Sequence, residues 1–176
     1  QSAFRRMEFY DFVIREFEFI DLTFELSVSA TCFAQLKRHR MATLTSQEYD
    51  PALGVTIPPA VEAVGSEREF MEIVDRSSEV YEKMRNEVGG AAAYVLTNAH
   101  RKRVLLKVNA REMYHISRLR EDTTAQWDIR LISEKMSRAA HKAMPLTFML
   151  LGGKDAYPGL YREVFGQDPK MIPPPV

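Results

Sequence analysis

Residues 17–28 read FEFIDLTFELSV, a stretch in which apolar and polar side chains nearly alternate. Successive side chains of a β-strand point to opposite faces of its sheet, so this alternation is typical of a strand with one buried face. The residues of the apolar set are Phe17, Phe19, Leu22, Phe24, Leu26 and Val28. The stretch therefore predicts a half-buried strand over residues 17–28.

Three neighbouring cationic or potentially cationic side chains, Arg38, His39 and Arg40, follow this strand after a predicted short helix over residues 29–37. Ser29 is suited to cap that helix. Three such neighbours repel one another, and a fold tolerates them more easily when an anion or an electron-rich ring lies among them. The alternative is a solvated basic loop, because short basic runs are usually exposed.

The rest of the chain is predicted to be mainly helical. The sequence Ser-Glu-Arg-Glu over residues 66–69 has the form of a capping box and predicts the start of a long helix that ends at Gly89-Gly90. Its predicted apolar face consists of Phe70, Ile73, Val74, Tyr81, Met84 and Val88. The other predicted elements are one helix, or a helix and a turn, over residues 1–16, a loop over 50–65, one or two helical turns over 91–96, a strand over 103–108, and helices over 110–119 and 124–143.

This order of elements predicts the α+β fold class, with an antiparallel or mixed sheet, a long helix and C-terminal helices. A chain of 176 residues is long enough to bury one core. We therefore expect a single domain over residues 1–176, with a flexible tail over residues 168–176. The tail contains Pro173-Pro174-Pro175, which cannot extend a helix.

Composition excludes several functional classes. The chain has 24 basic and 24 acidic residues and a formal net charge of zero, which argues against a nucleic-acid partner bound by bulk charge. No apolar run reaches the roughly 18 residues of a membrane-spanning helix, and no signal-peptide pattern opens the chain. Cys32 is the single cysteine, so we expect a small buried apolar side chain, no intrachain disulfide and no cysteine-based metal site. The first residue is Gln, which suggests processing or a longer parent chain.

A second group of polar side chains follows the predicted strand over residues 103–108. Asn109 stands at its end, Arg111 and His115 are four residues apart on the next helix and share a face, and Arg120 lies near the far end of that helix. An amide both donates and accepts, which suits the edge of a heterocycle, while Arg and His donate to carbonyl or phosphate oxygens. This group is therefore a candidate binding surface.

Structural interpretations of this second group stay open. Arg111 is able to pair with a carboxylate such as Glu112 or Asp122, and His115 is then a structural histidine. Trp127 is expected in the core, because the single Trp of a domain usually packs there. The basic residues 101–103 are expected to be solvated at the entry to the strand.

Two blocks of sequence resemble flavin-dependent thymidylate synthases. The first is QLKRHR over residues 35–40, followed by Ser46 and Tyr49. The second is Asn-Ala-Arg over residues 109–111, then His115, Leu119-Arg120 and AQWDIR over residues 125–130. The resemblance covers residues 17–145, and the two blocks stand in the family's order.

The resemblance implies an α+β domain that assembles as a homotetramer in the cytoplasm, with each active site between subunits. It implies bound FAD, dUMP as the substrate, methylene-tetrahydrofolate as the carbon donor and NADPH as the reductant, in the biosynthesis of dTMP. Pairing with a second, similar domain in place of a tetramer is the other assembly that the resemblance allows. The cofactor carries the hard chemistry and the protein supplies position and electrostatics.

The resemblance also implies roles for individual residues. Those implied to line the flavin from one subunit are Arg38, His39 and Arg40, and those implied to reach it from a neighbouring subunit are Asn109, Arg111 and His115. Gln35 and Ser46 are implied to bind the nucleotide, with Ser46 at its phosphate. Arg120 is the implied catalytic residue, which holds the pyrimidine carbonyls and polarises the ring.

The chain departs from the family at the expected phosphate contacts. Only five residues separate Arg40 from Ser46, which is fewer than the family's usual spacing. Glu48 and Ala93 stand where the family has Arg, and residues 1–16 contain no counterpart of an upstream His. At about 4 Å and an effective dielectric near 20, one unit charge pair amounts to roughly 4 kcal/mol, so Glu48 is expected to weaken nucleotide binding.

Three hypotheses therefore stand. The chain is a working flavin-dependent thymidylate synthase with altered phosphate contacts, or a catalytically degenerate member that serves as a structural partner domain, such as one half of a duplicated two-domain protein. The third is a flavoprotein of the same fold with another substrate.

Overall fold

A computed structural model describes residues 7–9 and 11–170. The strands are β1 (Asp21–Ser29), β2 (Thr43–Ser46) and β3 (Arg101–Asn109). The α-helices are α1 (Ala30–Leu36), α2 (Pro59–Ala63), α3 (Glu67–Val88), α4 (Ala110–Arg120), α5 (Trp127–Ala143) and α6 (Tyr157–Phe165), and 3₁₀ helices cover Arg15–Phe19, Pro51–Leu53 and Gly89–Val95. The three strands form a small antiparallel sheet in the order β1-β3-β2, so the predicted α+β class is confirmed.

The predicted first strand is present, but it begins at Asp21 because Arg15–Phe19 forms a 3₁₀ helix. Phe19, expected on the buried face, is 92% exposed. The helix that follows is α1, and Ser29 caps it as predicted, since its side chain accepts a hydrogen bond of 3.0 Å from the Cys32 N–H. Cys32 is fully buried and free, as expected.

The long helix α3 has the predicted bounds but lacks the predicted capping hydrogen bond at its start. It begins at Glu67 and ends before Gly89, whose φ of 58° suits glycine. The Ser66 side chain makes no capping hydrogen bond; its carbonyl accepts from the Phe70 N–H at 3.0 Å instead. The predicted apolar face is only partly buried, because Ile73 is 64% exposed while Val74 is buried.

Several short elements were not predicted. They are β2, α6, and the helix α2 and 3₁₀ turn Pro51–Leu53 within the expected loop over residues 50–65. The expected helical turns over residues 91–96 are found as a 3₁₀ helix. Residues 1–6, 10 and 171–176, which include much of the predicted N-terminal helix and the proline tail, lie outside the described residues. Residues 11–14 are not helical.

The chain divides into two compact units, each built from separate stretches of sequence. The first consists of the described residues up to Phe24, His39–Thr43 and the described residues from Lys107 onward; the second consists of Glu25–Arg38 and Leu44–Leu106. The largest buried side chains of the first unit include Met113, Tyr114, Ile116, Ile129, Phe148 and Tyr157. Those of the second include Val28, Leu36, Val74, His100 and Leu106. None of the helices in the described ranges has the length and apolar character needed to cross a membrane.

Candidate functional site

His39 is the buried member of the basic triplet, which consists of Arg38, His39 and Arg40. It lies in the turn between α1 and β2, and its side chain is 3% exposed, whereas Arg38 and Arg40 are exposed. Its Nδ1 lies 3.3 Å from Glu112 Oε1. Its Nε2 accepts a hydrogen bond of 2.9 Å from Arg120 Nε. The first of the two predicted polar groups therefore contacts the second through His39.

Helix α4 positions the second group. Asn109 is its N-cap and accepts a hydrogen bond of 2.8 Å from the Glu112 N–H. This bond holds Glu112 in the first turn of the helix. His115 follows one turn later, and its ring lies 6.1 Å from that of His39 at an interplanar angle of 70°. Arg120 is the last residue of α4, so the three side chains around His39 come from one helix.

Arg111 is held by the segment that precedes β1. Its Nε donates to the Val13 carbonyl at 2.8 Å, and its Nη1 donates to Glu18 Oε1 at 2.7 Å. The carboxylate partner is thus Glu18 and neither Glu112 nor Asp122. Hydrogen bonds from Arg15 and then Arg111 lower the pKa of Glu18, although burial opposes the shift. These contacts fix the Arg111 side chain on the same helix as His115.

An aromatic and cationic cavity of about 350 Å³ lies along α4. It is lined by Phe9, Phe12, Val13, Arg111, Glu112, Tyr114, His115 and Arg118. The Arg118 guanidinium lies 5.5 Å from the Phe9 ring and 5.9 Å from the Tyr114 ring. Its Nε and Nη2 are buried and have no hydrogen-bond partner among the described residues. Planar, electron-rich and anionic groups are the chemistry that such walls accept.

A second cavity, of about 390 Å³, contains the predicted phosphate contact of the second unit. Ser46 at the end of β2 and the following Gln47 line it together with Arg103 of β3. Ser46 and Arg103 are exposed. A hydroxyl and a guanidinium at one opening are suitable donors for an oxyanion.

Glu48 places a carboxylate beside the 3₁₀ helix Gly89–Val95. Its Oε1 lies 3.8 Å from the point where a Cβ would stand on Gly90. Gly90 belongs to the 3₁₀ helix Gly89–Val95, which also carries Ala93. Glu48 and Ala93, the two departures expected from the sequence, therefore lie beside and within the same short segment.

The expected solvation of residues 101–103 is wrong for Lys102. Lys102 is 8% exposed, and its Nζ lies 4.5 Å from the centroid of the Phe33 ring and 4.4 Å from that of Tyr49. Burial lowers the pKa of Lys102, and Glu48 opposes that shift. Arg101 donates to Thr56 Oγ1 at 2.9 Å. Two aromatic rings thus compensate a buried ammonium inside the second unit.

His100 is a buried structural histidine that the sequence did not suggest. The Thr97 N–H donates to its Nδ1 at 3.0 Å, so Nε2 carries the proton and donates to Ser78 Oγ at 3.0 Å. Ser78 in turn donates to the Val74 carbonyl at 2.9 Å. Burial lowers the pKa of His100. The contact ties α3 to the start of β3.

The structure brings together His39, His115 and Arg120 of the predicted site residues. Asn109 and Arg111 lie at the start of the same helix, whereas Gln35, Arg38 and Ser46 belong to the second unit. From the sequence, Glu112 is expected only as a partner of Arg111. No local pattern indicates its contact with His39, because the two are separated by 73 residues in the sequence. Trp127, expected in the core, is half-buried at the start of α5.

His39, Glu112 and His115 are also a possible metal-ligand set. One ligand atom from each lies within 4.8 Å of the others, and imidazole and carboxylate are ligands that zinc accepts. Binding at His39 Nδ1 would require that nitrogen to lose its proton. The remaining proton would then move to Nε2, which accepts from Arg120. A metal ion therefore competes with the hydrogen bond between His39 and Arg120.

Comparison with known proteins shows the family of the chain. The model of a family described as "Thymidylate synthase complementing protein" matches residues 11–146. A relative from Sulfurisphaera tokodaii, named flavin-dependent thymidylate synthase, is 30% identical over 137 residues, which cover 71% of this chain and 51% of the relative. One of the same name from Sulfolobus acidocaldarius is 31% identical over 132 residues, with the same shares.

A bacterial relative extends the comparison. The flavin-dependent thymidylate synthase of Geobacter sulfurreducens is 30% identical over 141 residues, which cover 75% of this chain and 59% of the relative. The chain thus spans about half the length of the archaeal relatives it matches. The matched part contains both predicted polar groups, from Gln35 to Arg120.

Proposed function

Because the chain belongs to the thymidylate synthase complementing protein family, and several of its relatives are named flavin-dependent thymidylate synthase, we propose that it binds a flavin and takes part in the reductive methylation of dUMP to dTMP. The observation that carries the proposal is the contact of His39 with Arg120 and Glu112, with His115 beside it. These side chains come from the two blocks that resemble the family, and they meet within one chain.

The residues present are chemically suited to FAD. The exposed guanidiniums of Arg38 and Arg40 and the exposed His115 are donors for carbonyl and phosphate oxygens. The cavity along α4 adds aromatic walls, and its volume of about 350 Å³ is within the usual range for ligand pockets. In this proposal Arg38 and Arg40 line the flavin, the buried His39 contributes through its hydrogen bonds to Arg120 and Glu112, and Asn109, Arg111 and His115 contact the flavin from a neighbouring subunit.

The remaining predicted site residues are proposed to bind the nucleotide. Arg120 is the proposed catalytic residue, because a guanidinium donates to both carbonyls of a pyrimidine edge and stabilises negative charge that develops there. Gln35 and Ser46 are the proposed substrate contacts, with Ser46 at the phosphate. Arg103 lines the same cavity as Ser46 and supplies positive charge near it.

The flavin, when bound, supplies the hydride that completes the methyl group. The protein's own residues bind, orient and exclude water, and Arg120 is the group proposed to touch the reacting ring. The finer parts of the proposal rest on the resemblance to the family: FAD as the flavin, methylene-tetrahydrofolate as the carbon donor, NADPH as the reductant, and a homotetramer in the cytoplasm.

A catalytically degenerate partner domain is the second candidate, and Glu48 and Ala93 favour it. Glu48 lies beside Gly90, and residue 93 is an alanine; the resemblance implies an Arg at both positions, so the chain would lack positive charge for a phosphate dianion there. In this version the chain stabilises or completes a second, similar domain and binds dUMP weakly or not at all.

Two measurements on the purified chain test the proposal. Mass spectrometry and the visible absorbance spectrum report whether a flavin copurifies, and calorimetry with dUMP reports nucleotide binding. Bound flavin with measurable dUMP affinity supports the enzyme. Bound flavin without dUMP binding supports a flavoprotein with another substrate. Absence of both, also after reconstitution with FAD, refutes the enzymatic proposal and leaves the partner domain.

A further inference from the structure

Glu112 stands at the end of a chain of hydrogen bonds that reaches Arg120 through the His39 ring. We infer that Glu112 and His39 are positioning residues: together they orient the guanidinium of Arg120 toward the carbonyl edge of a pyrimidine. This inference rests on the proposed function, because that function gives Arg120 its contact with the nucleotide. It assigns Glu112 a role that the sequence did not suggest.

The hydrogen-bond pattern requires one tautomer of His39. Arg120 Nε always carries its hydrogen, so the 2.9 Å contact needs a lone pair on His39 Nε2. The proton of the neutral ring must then sit on Nδ1, where it faces Glu112 Oε1 at 3.3 Å. A doubly protonated ring would set two N–H groups against each other at Arg120. Glu112 therefore selects the tautomer that is able to accept from Arg120.

Burial and capping make this arrangement rigid. The side chains of His39 and Glu112 are 3% and 11% exposed, so water competes little for their hydrogen bonds. Asn109 fixes the backbone of Glu112 through the N-cap bond. Arg120 has a long side chain that loses many rotamers when it is held. Because His39 already holds the Arg120 Nε, this side-chain entropy is lost on folding and not on substrate binding. That is the general benefit of preorganisation.

The metal alternative makes the opposite prediction for the His39 ring. A cation held by His39, Glu112 and His115 takes the lone pair of Nδ1 and leaves the proton on Nε2. That proton would point at Arg120 Nε and break the contact. The position of one proton on His39 therefore distinguishes the positioning role from a resident metal ion.

The first experiment measures that proton directly. The full chain is labelled with ¹⁵N-histidine, and long-range ¹H–¹⁵N spectra are recorded near neutral pH. His39→Gln identifies the His39 signals among the four histidines. We expect the Nδ1–H tautomer in the unmodified chain and a larger share of the Nε2–H tautomer in Glu112→Leu, where the Nδ1–H has lost its acceptor and only Arg120 still favours it. An Nε2–H or doubly protonated ring in the unmodified chain, or an unchanged tautomer in Glu112→Leu, overturns the inference.

The second experiment separates positioning from simple structural support. NMR titration of the FAD-reconstituted chain gives the dUMP affinity of each variant, including weak affinities. We expect Glu112→Leu to raise the Kd about tenfold, the loss typical of one hydrogen bond to a charged group. Glu112→Gln keeps an acceptor and should restore most of the affinity and the tautomer. Glu134→Leu is the control. Glu134 is a half-buried Glu on α5, and its ion pair with Arg138 is long, at 3.9 Å.

These results distinguish failure of the inference from failure of the proposed function. If Glu112→Leu switches the tautomer but leaves the dUMP affinity unchanged, the positioning role is wrong and the nucleotide site stands. If neither the unmodified chain nor any variant binds dUMP, the proposed function fails and takes the positioning role with it, even when the tautomer is as expected.

Discussion

The ammonium of Lys102 lies 4.4 Å from the centroid of the Tyr49 ring, and it also contacts the Phe33 ring, whose centroid is 4.5 Å away. A buried cation of this kind needs compensation, and the two rings supply it through their electron-rich faces. Tyr49 belongs to the block of sequence that resembles the family, yet its ring contacts Lys102, a buried residue of the second unit. Burial also raises the pKa of the Tyr49 hydroxyl.

The pairing of Lys102 with Tyr49 is testable by a double-mutant cycle. Tyr49→Leu keeps apolar bulk and removes the aromatic face, while Lys102→Met keeps the chain length and removes the charge. We expect a coupling free energy of about 1 kcal/mol, because the single variants each lose the same cation–π contact. Urea unfolding of the two single variants and the double variant gives this number. Additive effects would show that Lys102 gains nothing from the ring.

His100 should make the chain less stable in acid. Burial lowers the pKa of its imidazole below the ordinary value of 6.5, so the unfolded chain binds a proton there more readily than the folded chain. The stability contribution is complete above about pH 6.5 and is lost as the pH falls toward the lower folded-state pKa. Unfolding free energies across pH 5–7.5 measure this loss.

Two histidine variants show whether His100 is responsible. His100→Gln removes the titrating group, so its stability should depend less on pH, although it starts from a lower value. His141→Gln is the matched control, because His141 is exposed on α5 and should leave the acid-induced loss unchanged. Equal pH dependence in all three proteins contradicts the assignment.

Gly153 is predicted to be intolerant of any side chain. A Cβ there would lie 2.6 Å from the Glu121 carbonyl oxygen and 2.8 Å from its carbon, and both atoms belong to the backbone. Gly153→Ala should therefore destabilise the chain by about 1–3 kcal/mol. Gly159→Ala is the control in α6, where nothing lies within 4 Å of the added carbon, and it should stabilise by about 0.5–1 kcal/mol. Thermal unfolding of both variants checks the contrast, and equal effects would refute it.

Glu48 is predicted to weaken binding of dUMP. Glu48→Arg replaces repulsion of the phosphate by attraction, and we expect a tenfold or larger gain in affinity by calorimetry. Glu62→Arg is the control, since it makes the same charge change at an exposed position on α2. An equal gain in both variants would indicate bulk charge. No gain in either would mean that Glu48 does not face the nucleotide.

The sequence predicted the elements whose signals are local. The alternation over residues 17–28, the cap at Ser29 and the glycine stop after α3 depend only on neighbours within a few residues. β2 is not predicted because it has only four residues and lies at the edge of the sheet. A pattern of four residues cannot be distinguished from that of a loop. The burial of α3 was overestimated, since periodicity gives a face but not what covers it.

The sequence predicted which residues belong to the candidate site but not the hydrogen bonds that join them. His39, His115 and Arg120 were singled out from their chemistry and resemblance, whereas the Glu112 contact with His39 depends on how the turn after α1 meets α4. The burial of Lys102 is a similar case, because Tyr49 lies far from it in sequence. Contacts of this kind depend on tertiary packing and leave no periodic trace.

The central claim, that the basic triplet and the face of α4 bind a flavin, is tested most directly by equilibrium dialysis of the chain against FAD. We predict saturable binding with a Kd in the micromolar range, weakened at least tenfold in the double variant Arg38→Ala/Arg40→Ala. Both side chains are exposed, so we expect this variant to fold, and a thermal unfolding transition checks that it does. No saturable binding by the unmodified chain, or the same Kd in the double variant, would contradict the account.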